Sequence, residues 1–208
     1  IYGKECMKKF GLTDDSKFVC LCVRDSAYLK KEFYEFDDSH FSYHDYRDGN
    51  IDNYLLAAEE LTKKGYFVFR MGQKVIKSLK SSNPKIIDYA NSEMRSDFMD
   101  IYLGAKCIFC ISTGVGIDAI PIICRKPLVE IEAPIAFLRT SSKKFLLLTK
   151  HHVLASNNQK LRLSEIVSSE IARGLTTESF KSKGMTMGYI RSGIVSCAIT
   201  IIMESGLI

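Results

Sequence analysis

The sequence predicts an α/β fold, a Rossmann-like parallel sheet with flanking helices. Three observations carry that prediction. Short runs of apolar, β-rich residues at 18–23, 66–69 and 107–111 are continuous rather than alternating, as expected of strands buried on both faces. Stretches with helical spacing separate them, which implies right-handed crossovers between parallel strands. The run at 107–111 breaks into Ser112-Thr113-Gly114-Val115-Gly116, and a helix-like stretch carrying Asp118 then leads to a second buried strand expected at 127–131.

The elements follow in order. The first strand ends in a polar cluster, Arg24-Asp25-Ser26, at the end where open α/β sheets bind ligands. Residues 30–50 are aromatic and polar and include Phe33, Tyr34, Phe36, His40, Phe41, Tyr43, His44 and Tyr46, which predicts a long ordered loop. Asn50 is placed to cap a helix in which Ile51, Tyr54, Leu55, Ala58 and Leu61 share a face, and Gly65 closes it. The strand at 66–69 runs out into Arg70-Met71-Gly72. Ile86 and Ile87 form a brief strand, Ser96 caps a helix from Asp97 to Leu103, and Gly104 stands at its end. After Pro134 the pattern weakens, with a strand at 145–148 and a helix at 161–171. This divides the chain into a nucleotide-binding domain over 1–140 and a C-terminal helical extension over 141–208 packed on it.

Composition narrows the function. The 208 residues are 46% hydrophobic and 25% charged, enough for a sizeable core, and the net charge is +5. That charge suits an anionic small ligand or peripheral contact with an anionic inner-membrane surface. The absence of a compact Lys/Arg block argues against nucleic acid. Seven cysteines, mostly in apolar strand-like runs, read as reduced core residues of a cytoplasmic protein. Neither Cys107-x-x-Cys110 nor His151-His152 has the partners a metal site needs, so no metal is expected. The polar start is unlike a signal peptide. Ile1 is not an initiator methionine, so a preceding domain is expected to be missing. The tail at 192–208 is apolar but holds serines, Glu204 and two glycines, a weak pattern for a membrane span.

The turn at 112–116 suggests a phosphate site. Gly114 and Gly116 let the backbone approach a ligand, Ser112 and Thr113 add hydroxyls, and the N–H groups of a helix start attract phosphate. Asp118 is placed to accept hydrogen bonds from a ribose. The turn equally suits a tight connection in any α/β core. It is neither the dinucleotide fingerprint nor a P-loop.

Several segments together resemble a bacterial family of glycosyltransferases encoded near surface-polysaccharide genes. They are Val23-Arg-Asp-Ser-Ala-Tyr28, Ser42-Tyr-His-Asp-Tyr-Arg-Asp48, Ala57-Ala-Glu-Glu-Leu61, Gly65-Tyr-Phe-Val-Phe-Arg-Met-Gly72, Ile86-Ile-Asp-Tyr-Ala90, Arg95-Ser-Asp-Phe-Met-Asp-Ile-Tyr-Leu-Gly-Ala-Lys-Cys107 and Ile111-Ser-Thr-Gly-Val-Gly-Ile-Asp-Ala-Ile-Pro121. The resemblance covers about residues 18–131 and fades in the tail. It implies the nucleotide-sugar-binding half of a GT-B glycosyltransferase. That half would hold a nucleotide-diphosphate sugar, need no cofactor or metal, and deliver the sugar to a glycan or polysaccharide acceptor. The acceptor-binding half would be the missing domain, leaving the fragment inactive alone.

Glycosyl transfer then requires a cation at the leaving diphosphate. Arg24 is the first candidate, with an ion pair to Asp25 as its alternative role, and Arg70 is the second. Gly72 would border the same donor site. Arg47 would touch donor or acceptor, or pin its loop. His44 is placed as the base on the acceptor hydroxyl, with Asp45 and Asp48 as runners-up. A nucleotide-sugar epimerase or hydrolase of the same architecture, or a non-catalytic nucleotide-binding module, would share the glycine turn.

Overall fold

The computed structural model describes residues 2–32, 40–135 and 144–206. Phe33, Tyr34 and Phe36 of the expected loop, the expected boundary at residue 140 and the end of the tail lie outside the described residues. The chain begins with α1 (Tyr2–Lys9) and β1 (Phe18–Cys22), followed by α2 (Ala27–Glu32), α3 (Leu55–Lys63) and β2 (Phe67–Met71). Next come β3 (Ile86–Ile87), α4 (Asp97–Lys106), β4 (Cys110–Ser112), α5 (Ala119–Ile123), β5 (Leu128–Ala133) and β6 (Phe145–Thr149). The remainder holds β7 (His151–Leu154), α6 (Leu163–Val167), α7 (Thr177–Lys181), β8 (Met185–Gly188) and α8 (Ser192–Glu204).

Six strands form one sheet in the order β3-β2-β1-β4-β5-β6, and every pairing is parallel. This is the expected Rossmann-like sheet. The order in which strands are added switches sides between β1 and β4, the point where open sheets of this kind place ligands.

Strand periodicity splits β1 between two cores. Val19 and Leu21 pack with α3 and α8 through Ala58, Leu61, Val195 and Ile199. Phe18, Cys20 and Cys22 face α1 and α4 through Cys6, Met99 and Leu103. Both faces are therefore covered, which is why all five residues of β1 are buried and the run shows no polar alternation. Cys6, Cys20, Cys22, Cys107 and Cys110 serve as small apolar residues in this core, while Cys124 and Cys197 are exposed. All seven are free, with Cys22 Sγ 3.8 Å from Cys110 Sγ.

Local signals hold at several helix ends. Asn50 accepts a hydrogen bond from the Asp52 amide, and Ser96 accepts one from the Met99 amide. The Gly65 that closes α3 has φ +91°.

Other boundaries move. Strand β2 runs on to Met71, so Arg70 lies inside it rather than beyond its end. Strand β4 contains Ser112. Helix α4 continues through Gly104, which packs against Ile120 where a side chain would not fit.

The segment expected as a helical extension is mixed. β6 completes the six-stranded sheet, and β7 pairs antiparallel with the distant β8, whose Met185 packs with Tyr46 and Phe180. Branched and apolar residues at 145–154 favour strand over helix here, and burial against β5 rewards it. The helix expected over 161–171 is split into α6 and a 3-10 turn at Glu170–Arg173. Among the described residues no helix is long and apolar enough to cross a membrane.

Candidate functional site

A cavity of about 450 Å³ opens at the carboxyl ends of β1, β2 and β4. Its walls come from Val23-Arg24-Asp25 after β1, Gly72 to Val75 after β2, Val115 to Ile117 after β4, and Arg95 at the entry to α4. Ligand pockets are typically about 300–1,000 Å³, so a nucleotide-sized ligand is within range. Three cations, Arg24, Lys74 and Arg95, line it together with Asp25, Asp97 and Asp100.

The backbone of Arg24 is pinned from two sides. Its amide donates to Thr113 Oγ1 at 2.8 Å, and its carbonyl accepts from the Gly49 amide at 2.9 Å. Its Nε stands 3.1 Å from Asp48 Oδ1, so its ion-pair partner is Asp48 rather than Asp25. Asp25 instead ties the loop after β2 to the end of β1, accepting from the amides of Ala27 at 3.0 Å and Ile76 at 2.9 Å. Arg95 pairs with Asp100 at 2.8 Å and Asp97 at 3.0 Å, which fixes it across the mouth of α4.

The glycine turn is held by the residues expected to face a ligand. Ser112 Oγ donates to Asp118 at 2.7 Å and accepts from the Gly114 amide at 3.0 Å. Asp118 also accepts from the Val115 amide at 3.0 Å. Ser112, Thr113 and Asp118 are all buried. They face inward because a strand-to-helix turn leaves amides that need partners once covered. Arg47 reaches across from the 42–48 segment and donates to the Gly114 carbonyl at 2.9 Å. So Gly116, with the backbone beside it, borders the cavity, while Ser112, Thr113, Gly114, Asp118 and Arg47 build the turn behind it.

Arg70 is 1% exposed and borders a different, smaller cavity. It lies 3.2 Å from Asp88 and 3.8 Å from Asp25. The expected convergence of Arg24, Arg70, Gly114 and Asp118 on one cleft is therefore corrected. Arg24, Gly72 and Gly116 border the large cavity, and the other three support it.

His44 sits on the 3-10 turn Ser42–Arg47, its ring 4.0 Å from that of Tyr43 and its Nδ1 buried without a hydrogen-bond partner. Burial and the charges of Arg24 and Arg47 push its pKa down, which keeps it neutral. Neither His44 nor the exposed Asp45 borders the large cavity.

Sequence reasoning missed a buried charged group beside Arg24. Glu132, at φ +62° where the β5–β6 register shifts, accepts from the Ile190 amide at 2.8 Å. Lys150 donates to the carbonyl of Asp48, and its Nζ lies 4.9 Å from the centre of the Tyr189 ring. Burial pushes the Glu132 carboxyl up and the Lys150 ammonium down, each partly offset by the other's charge. The available signal was a charged residue closing each apolar strand. Burial raises Asp48 to about 6, assisted by Asp45 and Asp25 and opposed by Arg24 and Lys150.

That shift has a stability consequence. A raised carboxyl pKa means that the folded state binds the proton more tightly. The resulting stabilisation is present below about pH 4 and is lost as pH rises through about 6. Asp48→Asn is expected to stabilise the fold by about 1–2 kcal/mol at pH 8, allowing for partial exposure, and by almost nothing at pH 4. Thermal melting of both proteins across that range measures it. A variant that melts lower at pH 8 would contradict the sign.

Comparison of the chain with protein-family models, curated proteins and solved structures returns no match.

Proposed function

We propose that the chain holds a nucleotide-diphosphate sugar in the large cavity and forms the donor half of a glycosyltransferase acting on a glycan or surface-polysaccharide acceptor. One observation carries the reading. A nucleotide-sized cavity sits where the strand order switches sides, between β1 and β4, bordered by Arg24 and by the backbone at Gly72 and Gly116. In this reading the diphosphate lies against Arg24 and the turn at Val115-Gly116. Arg24 takes up the negative charge that develops on the leaving oxygen. The hydrogen bonds that pin its backbone limit reorganisation as the bond breaks. The resemblance of residues 18–131 supplies the sugar and the acceptor class, and the net charge of +5 fits work beside an anionic inner-membrane surface.

Arg24→Ala is expected to weaken UDP or GDP binding about ten- to a hundredfold, since hydrogen bonds to charged groups are worth about 1.5–3 kcal/mol. Binding of the bare nucleoside should not change. Calorimetric titration with UDP, GDP and CMP is the test. A parent chain that binds none of them, or an alanine variant that binds UDP and GDP as the parent does, defeats the donor-site reading. Nucleotide binding with no sugar turnover on any acceptor would favour the binding module. Epimerised UDP-sugar without an acceptor would favour the epimerase.

A further inference from the structure

At the entry to α4 the wall of the large cavity combines one guanidinium with two carboxylates, since Arg95, Asp97 and Asp100 all border it. Asp100, 8% exposed, lies 2.8 Å from Arg95 Nη2 and fixes the guanidinium. Asp97 Oδ1 stands 3.0 Å from the same nitrogen, and its side chain is 90% exposed, which leaves it room to accept further hydrogen bonds. We propose that this wall reads the base of the bound nucleotide and that the base is guanine. The proposal rests on the donor reading of the cavity and names the class of donor, a guanosine-diphosphate sugar.

Charge decides which end of the nucleotide meets this wall. One arginine with two carboxylates carries a net negative charge, which repels a diphosphate. Arg24 borders the same cavity while its partner Asp48 does not, and Asp25 is tied to the amides of Ala27 and Ile76. The diphosphate therefore goes to Arg24 and the turn at Val115-Gly116, and the uncharged base goes to Arg95 and Asp97. Val75, Ile101, Ile117 and Ile120 supply apolar surface for the faces of a ring.

Hydrogen-bond pattern then selects among the bases. Arg95 only donates, and an ionised Asp97 only accepts. The two stand side by side, so the edge that fits them has an acceptor next to donors. On its pairing edge guanine carries the O6 acceptor followed by two adjacent donors, N1–H and the 2-amino group. Arg95 donates to O6, and the two Asp97 oxygens accept from N1–H and the amino group, a charge-assisted bidentate contact. Uracil offers one donor between two carbonyl oxygens, so an Asp97 oxygen would face another oxygen. Cytosine and adenine place an acceptor ring nitrogen beside the amino group, which sets a carboxylate against a lone pair. A site built for the full set rejects bases that leave its polar groups unpaired.

Calorimetric titration of the chain with GDP, UDP, CDP, ADP and inosine diphosphate is the test. Inosine diphosphate lacks only the 2-amino group of GDP. GDP should bind at least about tenfold more tightly than each of the other four. Asp97→Ala should weaken GDP about ten- to a hundredfold and bring it within about threefold of inosine diphosphate and UDP. Ser96 still caps α4 in that variant, and the parent's own preferences decide the case even if the variant is unstable. A parent that binds UDP or inosine diphosphate as tightly as GDP overturns the guanine assignment and leaves the donor reading standing. An alanine variant that keeps the parent's ratio of GDP to UDP affinity overturns the role of Asp97 at the base. A parent that binds no nucleotide defeats the donor reading, and this inference falls with it.

Discussion

Arg70→Ala is expected to destabilise the fold by about 3–5 kcal/mol, the usual cost of breaking a buried ion pair by removing one partner. Arg70 is 1% exposed, and its partners Asp88 and Asp25 are largely covered. Truncation would leave two carboxylates without their cation and a void inside β2. Both carboxylates also hold backbone. Asp88 accepts from the Leu79 amide at 3.1 Å and from Asn91 at 2.7 Å, and Asp25 ties down Ile76. Loss of the cation should therefore loosen the segment 72–79 as well. Arg70→Met, which fills the volume without the charge, should lose less than the alanine variant if part of the cost is the void. Urea denaturation of the three proteins decides this. A loss below about 1 kcal/mol for alanine would show that Arg70 is not the structural ion the geometry implies.

Gly114→Val is expected to cost about 2–5 kcal/mol in stability, more than any direct effect on a ligand. At φ +78° a β-branched residue is strained by about 1–2 kcal/mol or more. A Cβ built there would stand 2.9 Å from the Glu130 carboxylate, and overpacking typically costs a further 1–3 kcal/mol. Replacing a glycine whose backbone faced the ligand, as the sequence suggests for Gly114, would instead harm binding more than folding. The reason is positional, since Gly114 faces Glu130 behind the turn and Gly116 borders the cavity. Gly116→Ala, with open space around its added Cβ, should leave the melting temperature nearly unchanged. Thermal melting of both variants separates the cases, and equal melting temperatures would sink the distinction.

The sheet was legible because its signal is local. A strand covered on both faces is mostly apolar, and β1 and the opening residues of β2, β4 and β5 announce themselves that way. So do caps such as Asn50 and Ser96, whose partners lie two or three residues on. That Arg24, Gly72 and Gly116 would lie near one another was legible because each follows a strand, and strand ends meet in this topology; all three border the large cavity. Their neighbours were not legible. Whether an arginine faces ligand or carboxylate depends on residues far along the chain. Asp88 claims Arg70 from 18 positions away, and Asp48 claims Arg24. One residue of strand length also decides which way a side chain points, and the extension of β2 past Phe69 carried Arg70 into the interior. Ser112, Thr113 and Asp118 were read as ligand groups because their chemistry suits phosphate and ribose. The same chemistry suits the amides of a buried turn, and in this chain those amides are nearer. Beyond Pro134 the elements are short and joined by non-local pairing, as β7 and β8 are, so a residue-by-residue reading had little periodicity to follow.

The position of β1 also bears on how the protein is made. It precedes the other five strands of its sheet in the chain, yet it sits in the middle of that sheet, with Phe18 beside Phe67 on one side and Cys20 beside Cys110 on the other. Throughout synthesis of the stretch between them, one edge of a wholly apolar strand has no neighbour. Pairing across such a separation carries a large loop-closure entropy and is slow. Nascent chains that stop before β4 therefore present a sticky edge to one another.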